Sequence, residues 1–315
     1  MKQIVVISGK GGTGKTVITA SFAALANNTV MADCDVDAAD LHLLLKPEIK
    51  EKHEFKSGKT AVIDQDKCIL CGKCKMICRF DAILVDKPKI FSKKESQKKE
   101  LGENMGTDKD RFVVDSVSCE GCAFCSFVCP CGAIEMKENI AGQWFDSLTR
   151  FGPMIHAKLG IAQENSGKLV SLVRKRAKEK AEEINADWVI IDGSPGIGCA
   201  VIASLSGVDC ALVVTEPSLS GLHDATRVID VARHFKVPVA LVINKYDLNI
   251  DVAEKIVQYC QNNNVPLIGK IGFDKDIVKA MVQGKTIIEY SEGEISKKIK
   301  SIWDRLQKEV LDGKS

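Results

Sequence analysis

Apolar positions along this chain fall into short unbroken runs, separated by stretches of helical period. Residues 2–8 (KQIVVIS) form one such run, ending in glycines, and the pattern after it predicts a helix from about Lys15 to Ala26. A second run is TVMADCDV (29–36). Three more, DWVIIDGSPG (187–196), CALVVTEPS (210–218) and VPVALVINKYD (237–247), are rich in Val and Ile. Continuous apolar runs of this length suit strands buried on both faces. Helical patterns lie at about 220–235 and 251–263. Strands alternating with helices predict an α/β fold: a doubly wound, mostly parallel sheet covered on both sides.

The interval 61–137 breaks this rhythm, with nine cysteines, short strand-like pieces and little helical periodicity. It reads as a small domain inserted into a larger one, which predicts a discontinuous main domain (1–60 plus 138–315) and an insert (61–137). The middle of the insert, FSKKESQKKELGENMGTDKDR (91–111), is polar and densely charged, as a solvated, mobile loop is. Near the C-terminus, Ile295, Ile299, Ile302, Leu306 and Val310 mark one helical stripe. Lys297, Lys298 and Lys300 would suit a membrane surface, but Asp304, Glu309 and Asp312 offset them, so the stripe is expected to pack on its own domain.

Composition narrows the class. With 315 residues, 45% apolar and 27% charged, the chain is long enough for a sizeable core. A net charge of +2 makes no electrostatic case for nucleic acid. No apolar run approaches the roughly 20 residues that span a bilayer. The opening MKQIVVISGKGG is too short an apolar run for a signal peptide, so a cytoplasmic location without membrane attachment is expected. Thirteen cysteines are many, and in a reducing compartment clustered ones read as metal ligands rather than disulfides.

The segment ISGKGGTGKT follows the first strand and opens the first helix, as a phosphate-binding loop must. Its glycines, Gly9, Gly11, Gly12 and Gly14, let the backbone around Thr13 turn its N–H groups toward phosphate oxygens, and the helix adds its positive end. Lys15 would sit on the β- and γ-phosphates, and Thr16 would offer its hydroxyl to Mg2+. Asp192, at the end of WVIID, is placed to hold Mg2+ directly or through water. Gly193 to Gly198 would form a mobile switch. DCDVDAAD (33–40) ends the second strand with a row of carboxylates, among which Asp33 and Asp37 are candidate caps or surface groups.

Two runs, CILCGKCKMIC (68–78) and CEGCAFCSFVC (119–129), each space four cysteines as C-x2-C-x2-C-x3-C. In two-cluster ferredoxins such a run gives three thiolates to one cluster and its fourth to the other. The expected sets are Cys68, Cys71, Cys74 with Cys129, and Cys119, Cys122, Cys125 with Cys78, for two [4Fe–4S] clusters. A four-cysteine zinc site uses two C-x2-C pairs instead. Pro130 follows the second run, whereas Arg79 stands at the matching place after the first. Cys131 is spare and is expected to be a small buried side chain, as are Cys34, Cys210 and Cys260.

The core KGGTGKT resembles the deviant phosphate loop of the MinD/ParA/nitrogenase-iron-protein superfamily. Together with the two cysteine runs, the segments DQDKCILCGKC, CRFDAI, GPMIHAKLGIAQENSGKLV, IDGSPGIGC and VTEPSLSGLHD are similar to MinD-superfamily ATPases that carry an inserted, bacterial-ferredoxin-like α+β domain. Those proteins are related to the nitrogenase iron protein and to Mrp-type cluster carriers. The resemblance implies ATP and Mg2+ as ligands and a homodimer with nucleotide at its interface. It implies that Lys10 reaches the partner's nucleotide, that Asp35 orients the attacking water, and that Asn244 hydrogen-bonds adenine. It also implies that Cys199, seven positions after Asp192, could hold metal between two subunits. The leading expectation is an ATP-hydrolysing accessory factor for metal–sulfur cofactor or cluster assembly and delivery, acting on a client metalloenzyme. The alternatives are ATP-gated electron transfer to a redox partner and a non-redox, MinD-like ATP-dependent scaffold.

Overall fold

The computed structural model describes residues 1–87, 110–160 and 165–308. The chain divides into two compact units, Met1–Phe55 with Gly142–Ser315, and Lys56–Ala141.

In the first unit, β1 (Lys2–Ser8) leads into α1 (Lys15–Leu25), β2 (Thr29–Asp33) and α2 (Leu41–Leu45). The 16-residue strands β3 (Glu48–Ile63) and β6 (Ile134–Thr149) carry the chain between the units. Between them lie α3 (Lys73–Ile77), β4 (Ile83–Asp86), β5 (Arg111–Val114) and α4 (Phe124–Phe127). After β6 the order is β7 (Gly152–Leu159), α5 (Ser166–Glu183), β8 (Trp188–Pro195), α6 (Cys199–Leu205), β9 (Cys210–Thr215) and α7 (Leu219–His234). The chain then runs through β10 (Val239–Asn244), α8 (Ile250–Asn262), β11 (Leu267–Ile271), α9 (Lys275–Val282), α10 (Ile287–Tyr290) and α11 (Glu294–Arg305).

The main sheet has the order β11-β10-β9-β1-β8-β2-β7-β6-β3. From β11 to β7 every neighbour is parallel, and β6 turns back antiparallel on β7. The five strands expected from apolar runs are all present. Each is largely apolar because both its faces are covered. Ile4 and Val6 pack with Ile18 and Phe22 of α1 and with Ile299 and Ile302 of α11, while Val5 and Ile7, on the opposite face by strand alternation, are equally buried. Side-chain caps start several helices: Ser218 accepts from Gly221 N at 3.0 Å, and Asn249 accepts from Val252 N at 3.1 Å.

One strand pair was not legible in the apolar pattern. The hairpin β6–β7 widens the sheet beyond β2, but its mixture of His, Lys, Trp and Ser hides a strand period. Gly193, Ser194 and Pro195 continue β8 rather than beginning a loop, since Gly193 lies against Val5 and Ile7 with no room for a side chain. The C-terminal stripe buries Ile295, Ile299, Ile302 and Leu306 in the core, beside an aromatic stack of Phe22, Trp303 and Trp188. Val310, Glu309 and Asp312, and the charged segment from residue 91 to 109, lie outside the described residues. Among the described residues no helix is long and apolar enough to cross a membrane.

In the second unit β4 and β5 form an antiparallel pair. Its small core gathers Ala61, Ile63, Ile83 and Ile134 around Cys74, with Cys68, Cys78, Cys119, Cys125 and Cys129 packed against it.

Candidate functional site

The phosphate loop stands where β1 hands over to α1. Gly12 and Gly14 take φ values of +77° and +95°, which side chains resist. Gly14 is also pressed against the Asn244 amide, so any Cβ there would collide. No side chain caps α1, so the first N–H groups of the helix stay available for an anion. Asn244 Nδ2 donates to the Thr13 carbonyl at 2.8 Å, and Lys245 Nζ donates to that of Gly12 at 3.1 Å. The end of β10 thus holds the loop from the side. A cavity of about 530 Å³ opens here, lined by Gly11, Gly12, Gly14, Lys15, Thr16 and Asp35 and continuing to Asn244, Gly272 and Phe273.

Beneath the loop lies a buried charge cluster. Lys15 Nζ is 3.5 Å from Asp35 Oδ2, and both side chains are nearly enclosed. Asp192 Oδ1 accepts from Thr19 Oγ1 at 3.0 Å, whereas Asp192 Oδ2 is buried with no hydrogen-bond partner. Burial pushes the Asp192 carboxyl up to about 6 against the opposing pull of Lys15, Thr16 and Thr19. Burial likewise raises Asp35, with Lys15 opposing, and raises Asp33, with the Asp192 charge adding to it. Strand register explains the crowding: Asp33 and Asp192 are direct partners across β2 and β8. Three buried carboxylates against one buried lysine, with an orphaned oxygen beside Thr16, suit a hard divalent cation.

Asp33 has a separate task. Its two oxygens accept the backbone N–H groups of Asp35 (3.1 Å) and Leu41 (3.3 Å), which shapes the loop that presents Asp35. Asp37 is exposed. Lys10 is engaged within its own chain: Nζ is 2.6 Å from Glu216 and 3.3 Å from the hydroxyls of Ser218 and Ser220. Sequence reasoning missed Glu216, Thr19 and Lys245. The available signal for Glu216 and Lys245 was position, since each follows the end of a buried strand beside the phosphate loop.

The cysteines gather in the second unit. One cavity is lined by Cys68, Cys71, Cys74 and Cys129, and another by Cys78, Cys119, Cys122 and Cys125. Cys131 is half-buried rather than buried; it also lines the first cavity, and its Sγ is 3.6 Å from that of Cys129. Burial pushes the Cys74 and Cys125 thiols up. Burial acts the same way on Cys129, but the Ala133 N–H at 3.3 Å and the Cys131 thiol bring it below its ordinary value. Among the described residues no three His, Cys, Asp or Glu side chains are drawn together as they would be around a single metal ion. Cys199 is exposed at the first position of α6, while Cys34, Cys210 and Cys260 are buried in the core.

Comparison with known proteins places this geometry. The CobQ/CobB/MinD/ParA nucleotide binding domain family matches residues 4–287. An uncharacterized protein of Methanocaldococcus jannaschii is 32% identical over 97% of this chain and 96% of its own length. The MinD protein of Pyrococcus horikoshii, solved in complex with Mg-ADP, is 17% identical with a TM-score of 0.54, over 98% of this chain and 96% of that one. MinD in the Aquifex aeolicus MinC:MinD complex is likewise 17% identical with a TM-score of 0.54, over the same shares, 98% and 96%. These two likenesses show the fold. They show neither a two-cluster insert in this chain nor its kinship with the nitrogenase iron protein.

Proposed function

Because the chain belongs to the CobQ/CobB/MinD/ParA nucleotide binding domain family, we propose that it is a MinD-like switch, which binds Mg2+ and a nucleoside triphosphate, hydrolyses it and changes its association with that state. Of the three roles considered, this one is best backed by the relatives. ATP is the triphosphate that the resemblance implies, and the Pyrococcus MinD holds Mg-ADP. The observation that carries the proposal is the orphaned oxygen of Asp192 beneath an uncapped helix start.

Thr16 and Asp192 would hold Mg2+, which supplies charge against the phosphate oxygens. Lys15 and the loop N–H groups bind the β- and γ-phosphates. Asp35, on the loop shaped by Asp33, orients a water toward the γ-phosphorus. The new P–O bond forms from that water as the bond to the β–γ bridging oxygen breaks, leaving nucleoside diphosphate and inorganic phosphate. Lys10 completes the site in a homodimer, exchanging Glu216 of its own chain for the partner's phosphates. Mass measurement by light scattering tests this: two copies are expected with triphosphate and Mg2+, and one with diphosphate. Equal masses together with no phosphate release would overturn it.

The cysteine cavities favour an addition to this reading. Each collects one of the crossed ligand sets, and a cluster several atoms across spaces its thiolates more widely than a single ion does. Two [4Fe–4S] clusters would fit these donors and would supply one-electron chemistry. Cluster delivery to a client metalloenzyme and electron transfer to a redox partner both rest on these cavities. Iron and sulfide counted per chain after anaerobic purification test the addition, and a chain that retains neither would sink it.

A further inference from the structure

Neither crossed ligand set uses Cys131, which follows the second cysteine run after a single proline. Cys129, Pro130, Cys131 and Gly132 form a tight turn, closed by the Gly132 N–H donating to the Cys129 carbonyl at 3.3 Å. Pro130 fixes the backbone at its first corner, and Gly132 leaves it with a φ of +61°. The Ala133 N–H donates to Cys129 Sγ at 3.3 Å, and the Ala133 carbonyl accepts from Asp64 N at 2.7 Å, so the turn is tied to the residue after β3. This folding brings Cys131 Sγ to 3.6 Å from Cys129 Sγ, and both border the cavity of Cys68, Cys71 and Cys74. The first run supports the same placement: two positions after Cys78, Phe80 borders the cavity that Cys78 lines. In each run the second residue after the fourth cysteine faces that cysteine's cavity, and only in the second run is it a thiol. Cysteines that serve packing alone, Cys34, Cys210 and Cys260, are buried, whereas Cys131 is half-buried.

We propose that Cys131 is an exchangeable ligand of the first cluster, sharing one iron position with Cys129. This rests on the two-cluster addition and deepens it. A [4Fe–4S] cluster takes four thiolates, and this cavity offers five thiols, against four in the other. In the exchange, the iron–sulfur bond to Cys129 breaks as that to Cys131 forms, and the Cys131 thiol proton passes to the Cys129 sulfur. No electron is gained or lost, so the step needs no oxidant or reductant. The thiolate is the ligand form of cysteine, and the short separation of the two sulfurs lets one replace the other by side-chain rotation. The second cavity, with Phe80 in the matching place, has no such reserve. Any ligand change during cluster delivery is thereby assigned to the first cluster.

The test compares variants of the full chain after anaerobic purification, with iron and sulfide counted per chain. Cys129→Ala should keep the iron and sulfide of both clusters, because Cys131 takes the vacated position. Cys129→Ala combined with Cys131→Ala should lose iron from the first cluster. Cys78→Ala, which has no spare thiol beside it, should lose iron from the second. A Cys129→Ala chain as depleted as Cys78→Ala would overturn the exchange. Labelling of the wild-type chain gives a readout that does not depend on how the variants fold. Brief anaerobic alkylation with iodoacetamide is followed by native mass spectrometry, which selects chains holding both clusters, and by peptide sequencing. One label on the pair is expected, at Cys129 in some chains and at Cys131 in others, with Cys78 unlabelled. Absence of label at Cys129 would overturn the exchange while leaving the clusters in place. A wild-type chain that holds neither iron nor sulfide would overturn the two-cluster reading as well.

Discussion

Lys10 and Glu216 of the same chain stand 2.6 Å apart, with Lys245 on the other Glu216 oxygen at 3.8 Å. The lysine expected to act on a partner's nucleotide is thus held at home in the single chain. If dimerisation releases it, hydrolysis per chain should rise with protein concentration. Lys10→Ala should still bind triphosphate and should lose about 10³-fold in turnover, the scale of a charge supplied in trans. Near-normal turnover in that variant, measured by phosphate release, would refute a trans role.

Lys15 compensates two buried carboxylates as well as facing the cavity. Lys15→Ala should lose tight triphosphate binding. It should also destabilise the nucleotide-free protein by about 3–5 kcal/mol, because Asp35 is left buried and unpaired. Calorimetry reads both effects, and an unchanged melting temperature would show that Asp35 is solvated instead.

Acid should stabilise the metal-free protein before it harms it. The Asp192 carboxyl rises from the ordinary 3.8 to about 6, so between those values the folded chain binds more protons than the unfolded one. Stability therefore increases as pH falls through 6 and levels off near 4, by up to about 3 kcal/mol for this group. Mg2+ needs the ionised form, so Mg2+ affinity should weaken over the same window. Melting curves in EDTA from pH 8 to 5 check the sign, and Asp192→Asn should flatten them.

Crossed ligation makes an unusual demand on Cys78. Although it belongs to the first run, Cys78→Ala should damage mainly the cluster bound by Cys119, Cys122 and Cys125, whose cavity it lines. EPR of the reduced protein separates the two clusters. Loss confined to the cluster of its own run would overturn the crossed sets.

If clusters and nucleotide are coupled, the coupling is reciprocal. A typical coupling changes triphosphate affinity roughly 5–150-fold between oxidised and reduced protein, which corresponds to about 40–130 mV in potential for one electron. Anaerobic titrations with a non-hydrolysable analogue measure both sides. Equal affinities and unshifted potentials would make the second unit a passive passenger.

Much of this protein is written locally. The Val- and Ile-rich runs declare buried parallel strands because burial on both faces leaves no polar positions to confuse the period. The phosphate loop is legible because its glycines meet backbone demands that few other residues satisfy, as the positive φ of Gly12 and Gly14 shows. The cysteine runs stand out by their spacing, C-x2-C-x2-C-x3-C twice over. Tertiary structure decided the rest. Cys129 lines a cavity with Cys68, and Cys78 one with Cys119, across gaps in sequence that no local pattern measures. Register across β2 and β8 sets Asp33 against Asp192 at a depth where burial raises the proton affinity of both, with the Asp192 charge adding to the rise of Asp33. The Glu216 partner of Lys10 arrives from more than 200 positions away, at the end of β9. The strand ends of a parallel sheet bring distant residues to one edge, and charge acts through space, so neither relationship leaves a mark on neighbouring letters.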